Sequence, residues 1–223
     1  MQYRQLLKML EDNSDPKYRE FHCRLLKNEK IKILGVRVPI LRKIAKQFSG
    51  NIDELMAFPD EYYEVTFIKL TAVSNLKYDE FIKYADSCVS LIDNWATCDC
   101  FTPKCIENHR QDFLPYIEKY LNFDGEFSQR FALTTLLHYY VEEKFFAVIF
   151  DSIERADTEK YYYVHMAAAW LVAEVLVKYY NSGVNFLQDG KVDKKTHNKA
   201  IQKANESLRL SSEQKNFLKE IKR

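Results

Sequence analysis

The stretch EFSQRFALTTLLHYYVEEKFFAVIFDSIER, residues 126–155, decides the fold of this chain. Its apolar residues recur at about every third or fourth position, which is the period of a helix that buries one face. Asp124-Gly125 breaks the pattern immediately before this stretch. We therefore predict a pair of helices, 126–141 and 143–155, joined by a short turn.

The same period continues over nearly all of the 223 residues. Only 5 Gly and 5 Pro occur, which is too few for the tight turns of an all-β protein or the loops of an α/β fold. The sequence therefore predicts an all-α protein of about a dozen helices. The other helices are expected at 2–12, 17–28, 38–48, 61–75, 78–91, 94–108, 111–121, 160–180, 193–207 and 211–221.

Helix pairs of this length with short turns are typical of a HEAT-like repeat α-solenoid, which offers a long concave groove to a ligand. No strict repeat consensus can be written, and a helical bundle of another topology is the alternative. No linker separates two domains. We expect one domain over 1–223, with variable N-terminal helices over about 1–34 and a repeat core over about 35–210.

The composition limits the class of protein. With 33 basic and 32 acidic side chains the net charge is +1, so any basic surface must be local. Neither a secretory signal nor a membrane span is found, which predicts a cytoplasmic protein.

Cys98, Cys100 and Cys105 cluster with His109 nearby, but their spacing fits buried packing better than zinc. We expect no metal.

The stretch DNWATCD, residues 93–99, has the clearest chemical potential. If one of its first two residues caps a helix, Trp95 and Asp99 lie one turn apart on one face, and an indole stands beside a carboxylate. Pro103 has no N–H for the Asp99 carbonyl and should kink or end the helix. The alternative for Trp95 is an ordinary core position.

Arg130 and Trp170 are two further candidates. Arg130 lies in the first turn of helix 126–141, where free N–H groups and a guanidinium could hold a phosphate. A salt bridge to Glu126 is the alternative. Trp170 follows several small residues that leave the indole room to project, although a core position is the more common role.

A basic series follows the helix start at Pro39. It consists of Arg37, Arg42, Lys43 and Lys46. These side chains could follow a phosphate backbone or form an ordinary solvated face. The sequence has no GxSxG, HExxH, GxxxxGK[ST] or GxGxxG motif, so zinc hydrolysis, phosphoryl transfer and hydride transfer are not expected.

Five short motifs follow one another along the chain: LGVRVP (34–39), LRKIAK (41–46), NWATCD (94–99), QRFA (129–132) and AW (169–170). Taken together, and in this order, they resemble the bacterial DNA alkylation repair family of HEAT-like-repeat alkylpurine DNA glycosylases. The resemblance extends over about residues 5–210.

The resemblance implies a C-shaped helical solenoid that grips duplex DNA and hydrolyses the N-glycosidic bond of cationic alkylated purines, such as 3-methyladenine and 7-methylguanine. It implies no deep base-flipping pocket and no cofactor, and we expect a monomer. By resemblance, Asp99 takes the place of the essential carboxylate, and Trp95 and Trp170 those of the two cleft indoles. Arg130 matches the arginine that supports the site and contacts the DNA backbone.

One segment departs from this family. Active members contact the lesion with a short second helix, whereas residues 16–33 are longer and different in pattern. The near-neutral charge of +1 is also low for a protein that clamps duplex DNA. The alternative function is therefore a non-catalytic HEAT-like scaffold that binds a protein or an unusual nucleic acid structure.

Overall fold

The computed structural model describes residues 1–26 and 30–223. This part of the chain contains fourteen α-helices, three short 3-10 helices and no β-strand, which confirms the all-α class. It divides into two compact units, Met1–Asn108 and His109–Arg223. Each unit is built from paired helices, and the expectation of one domain over 1–223 stays a prediction.

The first unit contains seven α-helices. These are α1 (Tyr3–Asp12), α2 (Pro16–Leu26), α3 (Val38–Ala45), α4 (Ile52–Met56), α5 (Tyr63–Ser74), α6 (Tyr78–Leu91) and α7 (Trp95–Cys100). Short 3-10 helices follow α3 and α7, at Lys46–Phe48 and Lys104–Asn108.

Helix α5 is the centre of the first unit, because it packs against α3, α4, α6 and α7. Ten of its twelve residues are buried, so it is enclosed on all sides rather than amphipathic. Two of the ten are charged. The buried Lys69 ammonium donates to the Phe58 carbonyl (2.6 Å) and pairs with Asp60 (2.8 Å), which ties the connection before α5 to the core.

The second unit also contains seven α-helices. These are α8 (Arg110–Asn122), α9 (Glu126–Tyr139), α10 (Phe146–Arg155), α11 (Tyr162–Lys178), α12 (Tyr180–Gln188), α13 (Lys194–Glu206) and α14 (Ser212–Glu220). A 3-10 turn at Glu143–Phe145 leads into α10.

Alternate helices of this unit form a row, because α11 packs against α9 on one side and against α13 on the other. The first turns of α9 and α11 meet where the Glu126 carboxylate accepts from the Tyr163 N–H (2.7 Å), and their later turns meet where the His138 and Trp170 rings lie 6.2 Å apart. The two helices are therefore parallel. Parallel stacking of alternate helices is the packing of a helical repeat.

The structure differs from the predicted helices at three places. The predicted helix 94–108 is two elements, because the chain leaves the helix at Phe101, ahead of Pro103. Helix α4 has only five residues, too few to display a period. Helix α12 was not predicted, and its Gly183 lets it approach α11 closely, since a Cβ there would lie 2.9 Å from the Leu176 Cα.

The other predicted helices are confirmed, with bounds that differ by no more than three residues. The expected helix 17–28 ends at residues that lie outside the described part of the chain. None of the helices in the described ranges combines the length and the apolar character that a bilayer span requires.

Candidate active site

The short helix α7 carries Trp95 and Asp99, and it begins at a defined cap. The Asn94 side-chain oxygen accepts from the Thr97 N–H (2.9 Å), and the Thr97 hydroxyl donates to the Asn94 carbonyl (3.0 Å). The Asn94 amide also donates to Asp93 (2.7 Å). Since Asn94 is buried, this cap is held rigidly, and the predicted cap within the first two residues of the stretch is confirmed.

Trp95 and Asp99 are half-buried and lie one turn apart on α7. The helix ends one residue after Asp99, where the Phe101 N–H closes the last turn on the Thr97 and Cys98 carbonyls (both 3.1 Å). The carboxylate thus lies next to a helix break, as the sequence predicts. An indole and a carboxylate that both reach the surface can contact a ligand together.

One charged side chain of α3, Arg42, acts on a residue of this helix. Burial raises the pKa of the Cys100 thiol, the Arg42 guanidinium opposes that rise and the Asp99 carboxylate adds to it. The charges of Arg42 and Asp99 therefore both act on the Cys100 thiol. In the described ranges no three His, Cys, Asp or Glu side chains are grouped so as to hold a metal ion.

The basic series has two parts in the structure. The Arg37 guanidinium pairs with Asp15 (2.7 Å) and lies over the Tyr18 ring, 5.0 Å from its centre. It joins α2 to the start of α3. The other three side chains are exposed on α3 and at the start of the 3-10 helix that follows it, opposite the face that buries Leu41 and Ile44. They are Arg42, Lys43 and Lys46.

The segment before α3 is fixed by a buried carboxylate of α5. The Glu64 side chain, which is 0% exposed, accepts from the N–H groups of Leu34 (3.0 Å), Gly35 (2.8 Å) and Val36 (3.3 Å). Gly35 has φ 93°, and a Cβ there would lie 2.6 Å from the Arg19 Cβ. Only glycine fits this close turn against α2.

Three aromatic side chains that sequence reasoning did not select as site residues connect α2 to α5. The His22 ring lies 5.5 Å from Tyr18 and 4.5 Å from Tyr63, edge to face with the latter. Burial lowers the pKa of His22, and the Glu64 carboxylate partly opposes this. Tyr18 and His22 are four residues apart on α2, and this spacing could have indicated from the sequence that they share one face of the helix.

Arg130 lies on α9 in the second unit and is only 5% exposed. Its guanidinium donates to the Tyr163 carbonyl (2.8 Å) and lies 5.8 Å from the centre of the Tyr163 ring. The Glu126 carboxylate accepts a hydrogen bond from the backbone N–H of Tyr163. Arg130 and Glu126 therefore fix the first turn of α11 to α9.

Trp170 is half-buried on α11 and lines an open pocket of about 160 Å³. The pocket also contains Glu174 and Arg209, whose side chains pair at 3.2 Å. The His138 ring meets the indole edge to face, 6.2 Å away. The indole thus has one packed edge and one side that reaches solvent, as a ligand-contacting tryptophan requires.

The predicted site residues fall into two groups. The first unit brings Trp95 and Asp99 together on α7, with Arg42 near enough to act on the same helix. The second unit carries Arg130 and Trp170 on the adjacent parallel helices α9 and α11.

Comparison with known proteins identifies the family of the chain. Residues 6–212 match the family model described as DNA alkylation repair enzyme. No curated protein matches the chain. The match covers both units and every candidate residue named above, so the chain belongs to the family of DNA alkylation repair enzymes.

Proposed function

We propose that this protein is an alkylpurine DNA glycosylase that hydrolyses the N-glycosidic bond of cationic purines, such as 3-methyladenine and 7-methylguanine, in duplex DNA. The observation that carries the proposal is the capped helix α7, which holds the half-buried Asp99 carboxylate one turn from the Trp95 indole. Membership of the family supports a role in the repair of alkylated DNA.

In this proposal Asp99 acts on the sugar. A purine alkylated on a ring nitrogen is positively charged and leaves without being protonated by the protein. As the bond breaks, positive charge moves to the deoxyribose, and a carboxylate stabilises this oxocarbenium-like transition state or orients the attacking water. No metal or organic cofactor is required for this reaction.

The indoles supply selectivity for charge. The face of an indole attracts a cation by about 0.5–2 kcal/mol, depending on how far the pair is shielded from water. Trp95 and Trp170 each reach solvent on one side and can face a cationic nucleotide. A neutral purine gains no such attraction, so damaged nucleotides are favoured over undamaged ones.

Cationic side chains supply contacts to the phosphates. Arg42 and Lys43 on α3, and Lys46 directly after it, are exposed and are suited to backbone contacts, whereas Arg37 joins α3 to α2. Arg130 is nearly buried, and we assign it mainly to positioning α11, the helix of Trp170, with its backbone contact as a secondary role.

The test is release of free bases from duplex DNA treated with a methylating agent. We expect the purified protein to release methylated purines from this DNA and nothing from the untreated duplex. Binding to the duplex is measured by fluorescence anisotropy in parallel. Binding without release would support the non-catalytic scaffold instead, and neither binding nor release would contradict the proposal altogether.

A further inference from the structure

A groove of about 380 Å³ lies between α8 and α10 in the unit His109–Arg223, and we call it the α8–α10 groove. Its lining residues all belong to these two helices, whereas Arg130 and Trp170 lie on α9 and α11. The proposed function therefore leaves this groove unused. The main lining residues are Gln111, Leu114, Pro115, Glu118, Asp151 and Ser152.

Ser152 contributes a hydroxyl without a partner. The residue is only 3% exposed and lines the groove, and within the described ranges its hydroxyl makes no hydrogen bond. A serine on a helix can instead donate to the carbonyl one turn earlier, as Ser74 does to Leu70 (2.8 Å). A buried polar group without a partner costs free energy unless a ligand or a water supplies one. The Ser152 hydroxyl is therefore available to a ligand that enters the groove.

Two further oxygen acceptors belong to residues that line the groove. Pro115 lies inside α8 and has no N–H to give to the Gln111 carbonyl, one turn earlier. On Asp151 the Oδ2 atom accepts from Arg155 (2.9 Å), whereas Oδ1 makes no hydrogen bond within the described ranges. Together with Ser152, these residues offer three oxygen atoms to a ligand that donates hydrogen bonds.

The charged groups at the groove favour a cation. The Arg155 guanidinium pairs with both Glu118 (2.6 Å) and Asp151 (2.9 Å), so two carboxylates share one cation and the net charge is −1. Hydrogen bonds from Arg155 lower the pKa of Glu118, which keeps this carboxylate ionised at neutral pH. One added positive charge neutralises the group, whereas a DNA phosphate is repelled. The groove is therefore not suited to the DNA backbone.

Apolar side chains form the rest of the lining and favour an organic cation. Leu114, Pro115 and Val148 present carbon atoms beside the oxygen acceptors. A metal ion needs several ligands together, and in the described part of the chain no three His, Cys, Asp or Glu side chains are so grouped. A guanidinium prefers a pair of carboxylate oxygens, and both oxygens of Glu118 already accept from Arg155 (2.6 and 3.0 Å).

We propose that the α8–α10 groove binds a primary alkylammonium group, supplied by a lysine side chain of another protein or by a free polyamine. The ammonium has three N–H donors, which match in number the oxygen acceptors of Gln111, Asp151 and Ser152. The alkyl stem packs against Leu114 and Val148, while the charged head reaches the oxygen atoms. This site goes beyond the proposed function, since it takes a cation and contacts no DNA.

The test is an NMR titration of the nitrogen-15-labelled protein with two probes, spermidine and Nα-acetyl-lysine methylamide. We expect both to shift the amide signals of the residues that line the groove. Nα-acetyl-norleucine methylamide, which lacks the ammonium, should shift none of them. If the ligand is a polyamine, spermidine binds about 10-fold tighter or more, because its further ammonium groups are attracted by the same carboxylates. Similar affinities of the two probes indicate a lysine side chain.

Two substitutions test the polar contacts. Ser152→Ala and Asp151→Asn should each weaken the binding of both probes about 10-fold, because each removes a hydrogen bond to a charged group. Ser152→Ala should fold as the wild type does, since the hydroxyl makes no hydrogen bond in the described ranges. Asp112→Asn is the matched control, because it makes the same change on α8 outside the groove, at a carboxylate that contacts His109 (3.0 Å).

The control separates a site from general attraction. Asp112→Asn should bind both probes with the affinity of the wild type. Equal weakening by Asp112→Asn and Asp151→Asn would overturn the proposal, because the probes would then respond only to the negative charge of this unit. Absence of shifts at the groove with both probes would overturn it as well. The titration contains no DNA, so its result is independent of whether the protein releases methylated bases.

Discussion

The Glu64 carboxylate offers the sharpest test of how this structure is held together. It is fully buried on α5 and accepts hydrogen bonds from three consecutive N–H groups, at residues 34–36. That segment leads directly into α3, which carries the basic series. Replacing the carboxylate should therefore loosen the approach to α3 as well as destabilise the first unit.

The expected size follows from the donors that Glu64→Ala leaves behind. Gly35 and Val36 are buried, and an unsatisfied buried donor costs about 1–3 kcal/mol. The variant also removes the unfavourable burial of a charge. We therefore expect a loss of about 2–4 kcal/mol in the free energy of unfolding. Glu64→Gln keeps one acceptor but turns an N–H donor towards the Leu34 N–H, so we expect about 1–2 kcal/mol.

Two assays check this expectation. Urea unfolding followed by circular dichroism gives the loss in stability of the first unit. Amide hydrogen exchange then reports on the three N–H groups directly, and we expect their protection to fall in Glu64→Ala and partly in Glu64→Gln. A Glu64→Ala protein within 0.5 kcal/mol of the wild type, about the effect of an ordinary surface substitution, with unchanged protection would refute the reasoning.

Three further predictions concern single residues of the first unit. Asn94→Ala should destabilise α7 by about 1 kcal/mol and slow base release, because the Asn94 side chain caps the helix that carries Asp99. Thermal unfolding measures the first effect and a release assay the second. Gly35→Ala should cost about 2–4 kcal/mol in urea unfolding, because φ is 93° and the new Cβ would lie 2.7 Å from the Asp15 carbonyl oxygen. The free energy of unfolding should fall as the pH drops below 6.5, because burial lowers the pKa of His22 in the folded protein.

Each of these predictions has a control in the same unit. Asn94→Ser retains a capping oxygen and should behave nearly as the wild type. Gly50→Ala meets no atom within 4 Å and should change stability by less than about 0.5 kcal/mol. His22→Gln removes one titrating group and should flatten the fall in stability below pH 6.5; an unchanged slope would contradict the assignment.

The sign of the pH effect follows from the protons that each state binds. The unfolded chain protonates His22 as the pH falls through its ordinary pKa of 6.5, whereas the folded protein resists protonation until a lower pH. The contribution of His22 to the free energy of unfolding is therefore fully present above pH 6.5. It is lost as the pH falls through the lowered pKa of the folded protein. His165 and His197 are buried with lowered pKa values and act in the same direction.

Local features of this fold could be predicted from the sequence. The period of three to four residues indicates the helices, and the cap and break of α7 follow from Asn94 and Pro103 within a few residues of Asp99. These features depend on neighbours along the chain. The order of the motifs also indicates the family, to which residues 6–212 belong.

Features that depend on distant residues could not be predicted. Glu64 and Lys69 look like solvated positions in a helical pattern, yet both are buried because their partners lie 9 to 30 residues away. In the sequence, Arg130 likewise looks available to bind a phosphate. In the structure its guanidinium donates a hydrogen bond to the carbonyl of Tyr163, 33 residues later. A single sequence does not indicate which charged side chains acquire such partners.

The most direct test of the proposed chemistry is single-turnover release of 7-methylguanine by Asp99→Asn, with duplex binding measured in the same preparation. Asp79→Asn is the matched control, since it makes the same change at an exposed position of α6. We predict that Asp99→Asn binds the duplex as the wild type does but releases the base about 100-fold more slowly or worse, while Asp79→Asn keeps the full rate. Release by Asp99→Asn at the wild-type rate would contradict the account.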